Sequence, residues 1–290
     1  MINKPRIAFF GTPDIAVYAL DVLAEAGYTP DLIVTNPDRP QGRKQILTSP
    51  PTKTWAQNHN IPVFQPTTLR DKDSLSELTE STWDLFIVVA YGSLMPTWLI
   101  ELPKFKTINL HPSLLPKLRG ASPIRTAILN NERNTGVTIM LMDSELDHGP
   151  ILAQVNADIP ESSWPMDGSK LDKHLATLGA ELLVKVIPEL VLGTIKPTEQ
   201  THSEATFSKK ITKNMGEIFL NPESLPTGGE AREMYLKICA FDNWPGTFFY
   251  HENRRIKITD AKLNSTGQLD IISVIPAGKK EMPFTNFLQS

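Results

Sequence analysis

The chain has 290 residues, 40% of them hydrophobic and 21% charged, with 29 Lys and Arg against 32 Asp and Glu. That length can bury a sizeable core and two domains, and a net charge of −3 speaks against wholesale nucleic-acid binding without excluding a local basic patch. No apolar run reaches the roughly 20 residues of a membrane span. The N-terminus enters the apolar run Ile7-Ala8-Phe9-Phe10 without a leader, and the single Cys239 excludes a disulfide framework and a cysteine zinc site, so a cytoplasmic protein is expected.

Residues 6–10 read as a strand, after which Gly11 turns, Thr12 can cap and Pro13 fits the first helical position. A helix from 14 to about 26 carries Ile15, Tyr18, Ala19, Val22 and Leu23 on one face and stops at Gly27. Residues 31–35 form a second strand. The stretch 36–53 is too long and too proline-rich for an ordinary crossover turn. Its Arg39, Arg43, Lys44 and Lys53 against Asp38 make either a solvated loop or a phosphate-contacting arm.

Residues 84–90 have the continuous apolarity of a central parallel strand. Residues 107–110 form another strand, which delivers His111 to its end. A helix follows from Ser122-Pro123 to about 130. Strands at 136–142 and 151–159 imply a hairpin-like return around Asp147. Alternation of short strands with helices predicts an α/β fold with a mostly parallel sheet. A helix from about 170 to 191 closes this half, with Pro188 expected to kink or interrupt it.

Residues 193–205 have little periodicity and read as a linker. Beyond them a short helix near 229–239 and β-like runs at 247–250, 255–259 and 269–275 predict a small β-rich domain. That domain holds 11 basic against 9 acidic residues, which leaves residues 1–206 at about −5. The expected division is 1–190, a linker 191–206, and 207–290.

The chemistry concentrates at Asn109 and His111, two apart and so on one face of a strand, at the carboxyl end where open α/β sheets bind ligands. Asn109 can donate to a developing oxyanion, His111 can move a proton near neutral pH, and Asp147 can orient an imidazole. The plainer readings are a hydrogen-bonding His at a strand end, an Asn that caps a turn and an Asp that caps a loop. Leu114-Leu115-Pro116 is either an apolar plug or the wall of a flat ligand site. No G-x-G-x-x-G or G-x-x-x-x-G-K-[ST] pattern is present, which argues against a dinucleotide cofactor and nucleotide hydrolysis. The six histidines show no pair at ligand spacing, so no metal is expected.

These residues resemble a family. Asn109-x-His111, Ser113-Leu114-Leu115-Pro116 and Asp147 look like the signature of enzymes that transfer formyl from 10-formyltetrahydrofolate, which glycinamide-ribonucleotide and sugar-nucleotide formyltransferases share. Four further segments are similar to the methionyl-tRNA formyltransferases among them. These are Phe10-Gly11-Thr12-Pro13-Asp14, Pro37-Asp38-Arg39-Pro40-x-Gly42-Arg43 running on to Ser49-Pro50, Ala240-Phe241-x-x-Trp244-Pro245-Gly246, and Pro276-Ala277-Gly278-Lys279-Lys280-x-Met282.

The resemblance implies a Rossmann-like catalytic domain with helices on both faces of its sheet and a C-terminal β-barrel of the OB type that binds tRNA. It implies formyl transfer from 10-formyltetrahydrofolate to the amino group of methionyl-initiator-tRNA, for translation initiation, by a monomer without metal or membrane. Asn109, His111 and Asp147 would be catalytic. Ser113, Leu114, Leu115 and Pro116 would line the folate site, with Ala90, Tyr91, Gly92 and Asp143 holding the pterin, and Arg43 would reach the tRNA acceptor arm. Between 258 and 271 there is room for little more than a turn, so the second domain is expected to be a shortened barrel. The competing readings are a formyltransferase for an amino-sugar nucleotide, a non-catalytic folate- or RNA-binding descendant, and a folate deformylase.

Overall fold

The computed structural model describes residues 4–42 and 44–289. In chain order its first half contains β1 (Ile7–Gly11), α1 (Asp14–Glu25), β2 (Leu32–Val34), β3 (Arg39–Gln41), β4 (Ile46–Thr48), α2 (Pro51–Asn58), β5 (Val63–Phe64), α3 (Ser76–Thr79), β6 (Leu85–Val89), α4 (Thr97–Ile100), β7 (Thr107–His111) and the two-residue β8 (Arg119–Gly120). Then come α5 (Pro123–Leu129), β9 (Gly136–Leu141), β10 (Ile151–Asn156), α6 (Gly168–Leu192) and β11 (Phe207–Ser208). The chain closes with α7 (Gly228–Ala240), β12 (Phe248–His251), β13 (Arg254–Leu263), β14 (Leu269–Pro276), β15 (Met282–Pro283) and α8 (Phe284–Leu288). Two compact units emerge: residues 1–120, 135–157 and 173–207 form one, and residues 121–134, 158–172 and 208–290 the other. Among the described residues no helix is long and apolar enough to cross a membrane.

The first unit is built on a seven-stranded sheet of order β10-β9-β7-β6-β1-β2-β5. Strands β7, β6, β1, β2 and β5 are parallel, and β9 and β10 add an antiparallel edge. The central strands are apolar at every position because both faces are covered. One face packs Ala8, Phe10, Phe86 and Val88 against Leu75, Leu78, Leu99 and Ile100. On the other, α1 comes so close to β1 that a Cβ on Gly11 would lie 2.7 Å from Ala16 Cβ. Gly179 brings α6 equally close to Leu110 and Val137.

Three local expectations change. Pro13, not Thr12, occupies the N-cap of α1, and Thr12 Oγ1 donates instead to the Tyr91 carbonyl at 3.2 Å. The buried face of α1 is Ala16, Ala19, Leu20 and Leu23, with Ile15, Tyr18 and Val22 only half-buried. Small Ala16 and Ala19 allow the close approach to β1 that a larger residue would prevent. Pro188 leaves α6 uninterrupted. A mid-helix proline costs about 3 kcal/mol, but Leu175, Leu183, Val186 and Ile187 are all buried, at about 1.5–3 kcal/mol each.

The sheet also explains a glycine. Added at Gly136 in β9, a Cβ would meet the Val155 carbonyl oxygen at 2.2 Å and Leu114 Cδ2 at 2.7 Å. Gly136→Ala is therefore expected to destabilise the protein by about 1–3 kcal/mol, read as a lower urea midpoint with an unchanged slope.

In the second unit, β12, β13, β14 and β15 form an antiparallel sheet in that order. Its core joins Phe249, Ile256, Ile258, Leu269 and Val274 to Ala231 of α7 and to Phe284 and Phe287 of α8. Helix α5 packs against α7, and Arg125 holds Asp172 through two hydrogen bonds of 2.5 and 2.7 Å. The strand expected at 255–259 continues to Leu263 across a bulge between Ile258 and Ala261, so the space before Ile271 extends an existing strand. The result is a four-stranded sheet, in keeping with a reduced barrel.

Candidate active site

Strand β7 places Asn109 and His111 on one face at its carboxyl end, next to the parallel strand β6. Val88 pairs with Asn109, and Ala90 follows directly after the end of β6. Strand order reverses around β1, the place where open parallel sheets leave a crevice for ligands. Gly11 at the end of β1 is opposite Val89 of β6. Ala90 and Gly92 just beyond are exposed, with φ of 48° and 80°.

Asp147 sits in the loop between β9 and β10, with φ of 51°. Its Oδ1 lies 3.5 Å from His111 Nδ1 and accepts from Asn109 Nδ2 at 3.4 Å. Its Oδ2 accepts the Gly120 backbone N–H at 2.7 Å. His111 Nε2 is 3.0 Å from the Leu118 carbonyl. A carbonyl only accepts, so Nε2 carries a proton and Nδ1 is the nitrogen turned to the carboxylate. His111 is 4% exposed and the Asp147 side chain 11%, whereas Asn109 is half-buried. Open solvent therefore reaches Asn109 and Asp147 more than the imidazole.

The other residues that the sequence pointed to are placed differently. Ser113 and Leu115 are buried, and their polar atoms are used inside the fold. Ser113 Oγ donates to the Lys117 carbonyl, the Ser113 carbonyl accepts from Thr138 Oγ1, and the Leu115 N–H donates to Thr138 Oγ1. Leu114 and Pro116 are half-buried. Tyr91 is buried on Phe10, burial pushes its hydroxyl up to about 12, and its carbonyl accepts from Thr12 and Asn36. Asp143 accepts from His148 Nδ1 at 2.7 Å and from the Glu145 N–H at 2.9 Å. Arg43 lies outside the described residues. Near the arm, hydrogen bonds from Gln65 and then Lys53 hold the Asp38 carboxyl below its usual range.

Sequence reasoning gave no role to Leu118, Arg119, Gly120, Gln200 or His202. Leu118 supplies the acceptor for His111 and Gly120 the donor for Asp147 through their backbone, which no side-chain pattern announces. Gln200 lies in the stretch read as a linker, yet it is 4% exposed. Its Nε2 donates to the carbonyls of Asp147 and Gly149 at 3.0 and 2.8 Å. Among the described residues no group of three or more His, Cys, Asp or Glu could hold a metal ion. The arrangement sets an amide donor beside a buried imidazole and a partly exposed carboxylate at the end of β7.

Known proteins are similar to this chain. The model of the formyl transferase family matches residues 5–187. A methionyl-tRNA formyltransferase of Halalkalibacterium halodurans is 38% identical over 98% of this chain and 94% of its own length. The methionyl-tRNA formyltransferase of Chloroflexus aurantiacus is 41% identical over 90% of this chain and 81% of its own. In fold, the chain is similar to an N-formyltransferase from Helicobacter canadensis solved with folinic acid and dTDP-3-aminofucose. That likeness has a TM-score of 0.60 at 22% identity and covers 90% of this chain and 88% of the other.

Proposed function

The chain belongs to the formyl transferase family and, within it, to the methionyl-tRNA formyltransferases; we propose that it carries a formyl group from 10-formyltetrahydrofolate to the α-amine of methionine esterified to initiator tRNA. The observation that carries the chemistry is the convergence of Asn109 Nδ2 and His111 Nδ1 on one oxygen of Asp147 at the end of β7. The acceptor rests on relatives that match the whole chain, second unit included.

A free α-amine titrates at about 7.7–8.0, so a neutral fraction is available as nucleophile. The amine nitrogen bonds to the formyl carbon, and Asn109 Nδ2 donates to the oxygen on which negative charge builds. Asp147 Oδ1 takes the proton from the attacking amine. The bond from N10 to the formyl carbon then breaks, and the same proton passes to N10, so no electrons or protons are gained or lost overall. His111, tied through Nε2 to Leu118, supports this step from behind: a proton between Nδ1 and Oδ1 makes that contact attractive. We assign His111 a positioning role and Asp147 the contact with the moving proton.

For the folate, Leu114 and Pro116 offer a half-buried apolar wall, with Ser113 and Leu115 as its packed backing. The exposed backbone of Ala90 and Gly92 at the switch point would hold the flat pterin, together with Asp143 of the β9–β10 loop. Arg43 is proposed to reach the acceptor arm of the tRNA.

The test is release of tetrahydrofolate from 10-formyltetrahydrofolate with either methionyl-tRNA or a dTDP-amino sugar as acceptor. Stimulation by methionyl-tRNA, with formyl-methionine recovered from the tRNA, is expected. Stimulation by the sugar nucleotide alone would overturn the acceptor.

A further inference from the structure

We propose that Gln200, locked by Arg119, is a positioning residue that aims Asp147 at the transferred proton; this rests on the reading of Asp147 given above. Asp147 is carried on a loop in the left-handed region, a conformation that its own φ preference does not hold. Two backbone ties fix it. The Gly120 N–H binds its outer carboxylate oxygen, and Gln200 Nε2 binds its own carbonyl together with that of Gly149. Only an amide suits the second position, because the other end of Gln200 must accept. Arg119 donates both Nε and Nη2 to Gln200 Oε1, at 3.1 and 2.7 Å. A flipped amide would turn its N–H groups onto the guanidinium, so Arg119 sets which end faces Asp147.

The clamp is itself braced. Arg119 Nη2 donates to His202 Nδ1 at 2.9 Å, and the His202 ring stacks on His148 with centroids 4.0 Å apart. His148 Nδ1 donates to Asp143. Gln200 is brought to the loop by Thr198, whose backbone pairs with Ile151 at the start of β10 through two hydrogen bonds of 2.8 Å. Both Gln200 and Arg119 are 4% exposed, so neither side chain is placed to touch a substrate.

A shift of about 1 Å in a reacting group can cost on the order of 100-fold in rate. Q200M keeps the size and removes both functions. It is expected to lower kcat about 10–100-fold, with KM for both substrates and tetrahydrofolate binding by calorimetry within about twofold. Because Gln200 acts through Asp147, Q200M is expected to add almost nothing to D147N in a double-mutant cycle. Wild-type kcat in Q200M, or losses that multiply in the double mutant, would overturn the inference. D147N at wild-type turnover would instead remove the active-site reading and this inference with it. Should Q200M not fold, Q200E, which keeps an acceptor for Arg119 but sets a carboxylate against two carbonyls, is read by the same two outcomes.

Discussion

Replacing Asp147 by Asn is expected to lower kcat for formyl transfer by about 10²–10⁴-fold, the usual worth of a positioned acid–base group. The local hydrogen bonds show why so small a change should act so strongly. The oxygen that receives the Gly120 N–H at 2.7 Å must remain an oxygen, so the new amide would turn its nitrogen toward His111 and Asn109. His111 Nδ1 would then accept from the amide while Nε2 still donates to Leu118, which locks the imidazole neutral. Asn109 Nδ2 would face a second N–H donor. The site would keep its shape and lose its proton acceptor. Binding of tetrahydrofolate, followed by calorimetry, is expected to stay within about twofold of the parent. Turnover within threefold of the parent would remove Asp147 from the proton path.

Asn109→Ala is expected to cost about 10²–10³ in kcat, the loss seen when one oxyanion donor is removed. At 1.36 kcal/mol per factor of ten, this is about 3–4 kcal/mol of transition-state stabilisation. The same change should scarcely affect folding. The bond from Asn109 to Asp147 is long at 3.4 Å and Asn109 is half-buried, so the net cost to stability is about 1 kcal/mol or less. Activity and stability are thus expected to separate by a wide margin, measured as kcat beside a urea midpoint. A long, weak ground-state bond is also what an oxyanion donor requires, because the donor must be released to the developing charge. Equal losses of activity and stability would show that Asn109 is a structural residue.

Short-range regularity made much of the fold legible. The unbroken apolar run at 85–89 and the alternation at 107–111 set β6 and β7, and a spacing of two placed Asn109 with His111 on one face. Turns and apolar runs also marked residues 207–290 as β-rich, and α7, β12, β13 and β14 begin within a few residues of where these signals put them, whereas β15 and α8 left no such signal. Misreadings arose where a distant partner chooses among local options. The apolar stripe through Ile15 and Tyr18 was one of two faces that α1 could bury, and the close approach of β1 at Gly11 selected the one with Ala16. The strand after Arg254 continued because a bulge let it follow β14. Within the stretch 193–205, Thr198 bridges to Ile151 of β10 through backbone atoms, which leave no periodic trace.

By itself the sequence determined the family, the alternating α/β plan, and the kinds of group available at the end of β7. Those are consequences of residue identity and of periods two and 3.6, which act between near neighbours. Only the tertiary structure decided that Asp147, 38 residues beyond Asn109, presents one oxygen to Asn109 and His111 and the other to Gly120. It alone brought Gln200, 53 residues further on, beneath the same loop. Contacts across such separations depend on which loops close over the sheet edge and on backbone donors that every residue possesses. For that reason the sequence could group Asp147 with Asn109 and His111 but could not locate its ties to Gly120 and Gln200.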